Sequence, residues 1–216
     1  MKLNADLGKP AVSLPQDAKW TPSPMQGVER RLLDRNGDEV ARATSVVRYA
    51  PKSRFPRHQH DAGEEFFVLQ GIFSDENGDF PAGTYVRNPP GSNHAPKSDR
   101  GCEILVKLRQ FDSDDLERVA INTNTAVWRE TVITGFFELP LHQHKSEQVR
   151  LVRLTPGASM PALKHAGGEE LFVIAGGLEE GANEFPIGAW IRNPPGIAPE
   201  RRSEQGCVFY LKTGHL

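Results

Sequence analysis

The chain has 216 residues, with 26 Lys and Arg against 28 Asp and Glu and a formal net charge of −2. It has no basic surplus with which to hold nucleic acid, and 38% hydrophobic with 25% charged residues is the ordinary balance of a globular chain folded in water. Two cysteines, Cys102 and Cys207, exclude a disulfide framework. No apolar run is long enough to span a membrane, and Met1–Gly8 lacks an apolar signal core, so the expected setting is the reducing cytoplasm with no membrane partner.

Residues 1–27, with Pro10, Pro15, Pro22 and Pro24 and one large anchor in Trp20, predict an arm lying over a sheet surface. From Val28 to Tyr49, two β-prone runs flank Asn36-Gly37, a hairpin signal. The next stretch, Pro56 to Gly71, carries His58, His60, Glu64 and Glu65 before an apolar run. On an extended strand His58 and His60 face the same way, and a turn at Asp61-Ala62-Gly63 can bring Glu64 over that side, with His94 downstream. Glu65 would face away. A second hairpin is expected over Gly71–Phe80. In Cys102–Leu108 the alternation predicts a half-buried strand, with Cys102, Ile104, Val106 and Leu108 on the apolar face. Phe111–Arg118 is the one place where a helical turn is expected, capped by Asp112 or Ser113, ahead of a connector to about Thr125. The 20 glycines and 17 prolines are spaced between apolar runs, as in a fold of many short strands.

After the connector the pattern repeats. At an offset of 105 residues, Pro51, Pro56, His60, Gly63-Glu64-Glu65, Phe67-Val68, Gly71, Phe80-Pro81, Arg87–Gly91 and Gly101-Cys102 all recur, and about a third of positions 48–107 are identical. A unit of about a hundred residues is too long for a solenoid period, so this is a duplicated domain. The boundaries expected are an arm over 1–27, a first domain over 28–125 and a second over 126–216. At this offset His58 becomes Leu163 and His94 becomes Pro199, while His60 and Glu64 persist as His165 and Glu169. A two-ligand remnant is a poor metal site, so the second domain is expected to be metal-free.

The pattern His58-x-His60-x3-Glu64-x6-Gly71 followed by Gly83-x5-Pro89-x-Gly91-x2-His94 resembles the two signature motifs of the cupin superfamily. Its Gly-Glu-Glu, Ser-Asp-Glu-Asn-Gly-Asp and His-Ala-Pro stretches are similar to the ChrR-like cupins. The resemblance covers residues 28–110 strongly and 128–213 more weakly. It implies an all-β fold of two tandem cupin jelly-roll (double-stranded β-helix) barrels, with His58, His60, Glu64 and His94 as metal ligands of the first. Lys52 stands where the first motif begins with glycine, and Ser98 where the second often ends in Asn; neither is a ligand. One divalent ion per chain is expected, zinc first, with Fe(II), Mn or Ni also suited to imidazole and carboxylate. The family's anti-sigma factor also has an N-terminal zinc-binding helical domain, for which residues 1–27 are too short and have no His or Cys, so sigma-factor binding is not expected.

Other signals carry plainer readings. His142-x-His144 with Glu147 has no downstream partner and reads as an exposed turn. His215 is terminal and expected to be disordered. Cys102 recurs in the copy that lost its ligands, so packing explains it better than redox chemistry. Arg87 and Arg192 could anchor a carboxylate substrate, but their retention in both copies favours a shared salt bridge or domain contact. Phe55, Phe66, Phe67, Phe73, Tyr85 and Ile104 could line a pocket mouth, though most must be core.

Three histidines and a glutamate leave open positions on a metal that prefers five or six ligands. The first expectation is a regulatory cupin answering to a small molecule or an oxidant, in the manner of the anti-sigma factor's cupin half. The alternative is a mononuclear metal-dependent dioxygenase cleaving a diketone or another enolisable small molecule. An internal duplication can replace a homodimer or pair again into one.

Overall fold

Short apolar runs punctuated by Gly, Pro and Asn become antiparallel strands, and none of the described residues is helical. The computed structural model describes residues 1–17 and 19–216, the side chain of Ile197 excepted. Among the described residues no helix is long and apolar enough to cross a membrane.

The chain forms two units. Met1–Ala5 with residues 19–126 make the first, and Asp6–Asp17 with Val127–Leu216 make the second. The arm is therefore divided, and it supplies edge strands instead of lying across a sheet face. Lys2–Leu3 and Trp20–Pro22 pair with Val28–Asn36, whereas Ala11–Ser13 pairs with Trp190–Asn193. The unmet N–H and C=O groups of an edge strand explain this placement. Trp20 is held by the Arg48 guanidinium, 3.9 Å above its ring.

In the first unit the strands run in the spatial order Lys2–Leu3, Val28–Asn36, Arg42–Tyr49, Cys102–Leu108, Glu64–Asp75, Thr84–Asn88 and Val119–Asn122. The far half of Glu64–Asp75 pairs with Gly78–Pro81 and Lys97–Ser98, and a separate ladder joins His58–His60 to Ser92–His94. The second unit repeats the arrangement. Phe136–His144, Glu147–Leu154, Cys207–Thr213, Glu169–Glu180 and Trp190–Asn193 lie side by side, and Leu163–His165 pairs with Gly196–Ala198. Each is an all-β jelly-roll barrel with its own core, around Phe66, Val68, Phe73 and Ile104 in one and Phe172's neighbours Leu171 and Val173 with Phe209 in the other.

The long strand of each barrel serves two ladders because of one glycine. Gly71 has φ +73°, and a Cβ there would lie 2.1 Å from the Gly101 carbonyl oxygen; Gly176 has φ +71° with the Gly206 oxygen at 2.0 Å. Left-handed backbone and the absence of a side chain are both required at this bend, next to the bulge at Glu103/Ile104.

Some expectations are corrected. Asn36-Gly37 does begin the turn of the first hairpin, but the connection runs through Ala41, since pairing resumes at Arg42. Phe111–Arg118 forms a single turn, Asp115 N–H to the Asp112 carbonyl, and no helix, and the Asp115 carboxylate pairs with Arg87. Cys102–Leu108 is buried on both faces from Ile104 to Lys107, and its polar face finds partners: Lys107 donates to Thr44 Oγ1 at 3.0 Å and Glu103 accepts from Arg48. His142 and His144 end a strand instead of forming a turn; the turn is Lys145-Ser146, and His142 and Glu147 are buried, the latter paired with Lys212 at 3.0 Å. His215 is packed, its Nε2 3.1 Å from Glu170 Oε2.

Replacing Gly71 with Ala should destabilise the first unit by about 2 kcal/mol or more, through φ strain and the clash with Gly101. Urea unfolding should show the loss, and Gly176→Ala should do the same to the second unit.

Candidate metal centre

The cluster is built by a ladder and a turn. In the His58–His60 strand Gln59 points outward, and pairing sets His94 opposite His58. The Asp61–Gly63 turn closes with Gly63 N–H on the His60 carbonyl and Gly63 at φ +77°, which starts the Glu64 strand over the same interior. Ring nitrogens of His58, His60 and His94 all lie within 4.8 Å of one another. His60 Nε2 and His94 Nε2 are 2.9 Å apart, and Glu64 Oε2 is 3.4 Å from each. The three histidines therefore gather at one place, and Glu64 adjoins them through His60 and His94. Ligand atoms about 2.1 Å from a shared ion lie about 3.0 Å apart at a right angle and about 3.4 Å apart at a tetrahedral angle. The donor set fits a divalent ion.

Partners outside the cluster fix the imidazole tautomers. His94 Nδ1 is 3.0 Å from Asp75 Oδ2, and His58 Nδ1 is 3.1 Å from the Pro56 carbonyl oxygen. A carboxylate and a carbonyl can only accept, so each Nδ1 carries the proton and each Nε2 offers its lone pair. Asn88 Nδ2 donates to Glu64 Oε2 at 3.2 Å. Burial pushes His60 below its ordinary pKa, more than the charge of Glu64 restores. Burial acts on His94 in the same sense, but the hydrogen bond to Asp75 and the charge of Glu64 outweigh it and raise the pKa. Asp75 lay outside the sequence reading; an acidic side chain at its repeat partner, Glu180, is the signal that could have found it.

The remaining expected residues divide cleanly. Glu65 faces away, accepting from Tyr85 and Arg87. Arg87 is fully buried between Glu65 and Asp115, with Phe111 stacked 4.0 Å away, so it is structural and not a substrate anchor. Arg192 donates to the Asp6 carbonyl at 3.0 Å and fastens the arm within the second unit. A cavity of about 510 Å³ opens onto His58, His60 and Glu64, walled by Val47, Tyr49, Phe55, Ile104, Val106 and Leu108 and rimmed by the ion pairs Arg30–Glu39 and Arg109–Asp61. Of the aromatic and aliphatic side chains proposed for a pocket mouth, only Phe55 and Ile104 line it; Phe66, Phe67, Phe73 and Tyr85 are core.

The second barrel fills the same interior differently. Its ladder pairs Leu163 with Ala198, so Ala198, not Pro199, occupies the place of His94; the ungapped offset hides a one-residue slip in the intervening loop. Arg201 then enters from the next strand, fully buried, with both terminal nitrogens on Glu169 and its Nε 2.9 Å from Glu180 Oε2. Glu169 and Glu180 are the repeat partners of Glu64 and Asp75. A guanidinium thus stands where the first barrel gathers imidazoles. Burial alone would raise the Glu169 pKa, but its bonds to Arg201 hold it below the usual carboxylate value.

Arg201→Ala should leave a buried, unpaired carboxylate and cost the second unit about 3–5 kcal/mol at pH 7. The sign with pH distinguishes this from lost packing. With its pKa depressed on folding, Glu169 in the native chain contributes stability above the ordinary carboxylate range, and this is lost as pH falls through the depressed value. In the variant, burial raises the pKa and acidification should recover stability, which chemical unfolding at pH 4 and pH 7 would show.

The model of the ChrR cupin-like domain matches residues 9–112 and again 116–216. No curated protein matches. Among solved structures the chain is similar to a candidate dioxygenase from Nostoc punctiforme, at 18% identity over 99% of this chain and 81% of that one, with a TM-score of 0.75. It is also similar to the protein Ylba from E. coli, at 15% identity over 97% and 92%, TM-score 0.73. A third is oxalate decarboxylase from Bacillus subtilis, at 13% identity over 94% and 77%, TM-score 0.66. At these identities the likeness concerns the fold, and oxalate decarboxylase shares the two-barrel architecture. With its family model matched once in each barrel, the chain belongs to the ChrR cupin-like family.

Proposed function

We propose that the first barrel is a mononuclear metal enzyme acting on a small oxygen-bearing molecule, with oxidative cleavage of a diketone or similar enolisable compound as the first reaction to test. The observation that carries this reading is the cavity of about 510 Å³ whose floor is made by His58, His60 and Glu64. A purely structural metal site is closed by protein ligands and needs no such approach.

His58, His60, Glu64 and His94 would hold one divalent ion. Such an ion, when bound, supplies Lewis-acid polarisation or, as Fe(II), electrons for oxygen chemistry. The chain's own residues prepare the site. Asp75 keeps the proton of His94 on Nδ1, and the Pro56 carbonyl does the same for His58. Val47, Phe55, Ile104 and Val106 make the wall apolar, which excludes water and strengthens polar interactions at the floor. An oxidant-responsive regulator is less well supported. The one cysteine in this barrel, Cys102, is buried, and burial pushes its thiol up to about 11, so it offers no thiolate at neutral pH.

Protein purified without a metal-affinity column should carry one equivalent of divalent metal by elemental analysis, and His58→Ala with His94→Ala should carry none. Metal retained by the double variant would overturn the ligand set. Asp75→Asn should weaken metal binding by about 10–100-fold in competition with a chelator, since it removes the acceptor that orients His94. Iron-loaded protein should consume oxygen with a member of a small-diketone panel. Tightly held zinc and no turnover with any member would count against the enzyme and for a regulatory module.

A further inference from the structure

Tyr49 stands in the wall of the first barrel's cavity with only 7% of its surface exposed. It ends the Arg42–Tyr49 strand, its ring 5.6 Å from Phe55 and edge-on to Phe73 at 5.8 Å. Those two rings meet the histidines: Phe55 lies 5.9 Å from His58, and Phe73 lies 5.9 Å from His94. The phenol is therefore one aromatic ring removed from two of the cluster's side chains.

Its hydroxyl has no use in the fold. The buried Tyr85 hydroxyl donates to Glu65 at 3.0 Å, as a buried phenol is expected to do. The Tyr49 hydroxyl makes no hydrogen bond to any described residue, although Tyr49 belongs to the core cluster and also lines the cavity. The second barrel supplies a control within the same molecule. There Leu154 pairs with Cys207 as Tyr49 pairs with Cys102, and Leu154 is simple core. The barrel needs only an apolar side chain at this register, and the hydroxyl occurs in the copy that has the histidine cluster and the cavity. A phenol is protonated at neutral pH and burial disfavours its ionisation further, so it remains a donor.

We infer that Tyr49 is the substrate-orienting residue of this site: its hydroxyl donates a hydrogen bond to an oxygen of a small, largely apolar carboxylate or carbonyl compound lying over His58, His60, Glu64 and His94. The inference rests on the reading of the first barrel as a metal enzyme. Val47, Ile104, Val106 and Leu108 receive the apolar body, and Tyr49 selects for an acceptor oxygen at its end.

The test uses two probes with the same tail. Cobalt(II)-loaded protein is titrated with hexanoate, which offers acceptor oxygens, and with hexanethiol, which binds metal through sulfur and has none; the visible spectrum reports both. Tyr49→Phe should keep its cobalt content and thermal midpoint, lose about tenfold in hexanoate affinity and hold hexanethiol within twofold, as expected for one hydrogen bond to a charged acceptor. Tyr49→Leu, the side chain of the second barrel, should give the same split. Unchanged hexanoate affinity would overturn the role of Tyr49 and leave the metal site standing. Equal weakening of both probes by Tyr49→Leu, with hexanoate affinity kept by Tyr49→Phe, would mean that the ring only packs, and would also overturn it. If the unmodified protein binds no cobalt, or neither probe changes its spectrum, the metal-enzyme reading fails and the role of Tyr49 falls with it.

Discussion

Each barrel buries a carboxylate at the start of its long strand, and the interior is arranged around that negative charge. Glu64 is 8% exposed and Glu169 is 1% exposed. An ionised carboxylate in such surroundings must be met by a cation or by several donors, because its unpaired burial costs more than a typical fold can spare. The two barrels meet this demand in different ways. In the first, His60, His94 and Asn88 gather around Glu64, and the geometry suits a divalent ion. In the second, Arg201 places its guanidinium on Glu169 and reaches Glu180 as well. The duplicated frame kept the carboxylate, and each copy found its own positive partner.

That choice also governs what each interior can admit. A guanidinium tethered to the wall occupies the space, and each of its three nitrogens donates to one of two carboxylates. Imidazoles arranged about a point leave an approach open, and the first barrel has a cavity leading to it. The side chains that differ between the copies follow the same division. His58, His94 and Tyr49 border the centre and its approach in the first barrel; Leu163, Ala198 and Leu154 take their places in the second. Asp75 and Glu180 remain acidic in both, one holding an imidazole and the other holding Arg201.

The frame itself depends on backbone more than on side chains. A strand of twelve residues serves two ladders in each barrel, and the bend that permits this passes so close to the neighbouring carbonyl that only glycine fits, at Gly71 and again at Gly176. The buried pairs Arg87 with Glu65 and Asp115, and Trp190 with Glu170, face away from the interior and tie strands together on the other side of the same sheet. These are adjacent to the site in sequence and separate from it in function, because alternation along a strand sends Glu64 inward and Glu65 outward.

By itself the sequence determined the duplicated all-β frame, the family and the four side chains that converge at His58, His60, Glu64 and His94, because strand alternation and turn glycines are local properties. Only tertiary structure decided the rest. Asp75 and Tyr49 lie on other strands than the His58–His60 pair, and nothing local in either stretch says that they face the same interior. Arg201 was hidden by a one-residue slip, since Ala198 and not Pro199 pairs opposite Leu163. The arm looked like a covering segment because prolines mask edge pairing, and its division between two sheets follows from open strand edges elsewhere in the chain. His215 and Asp115 were drawn into order by Glu170 and Arg87, charges whose need for partners appears only once they are buried.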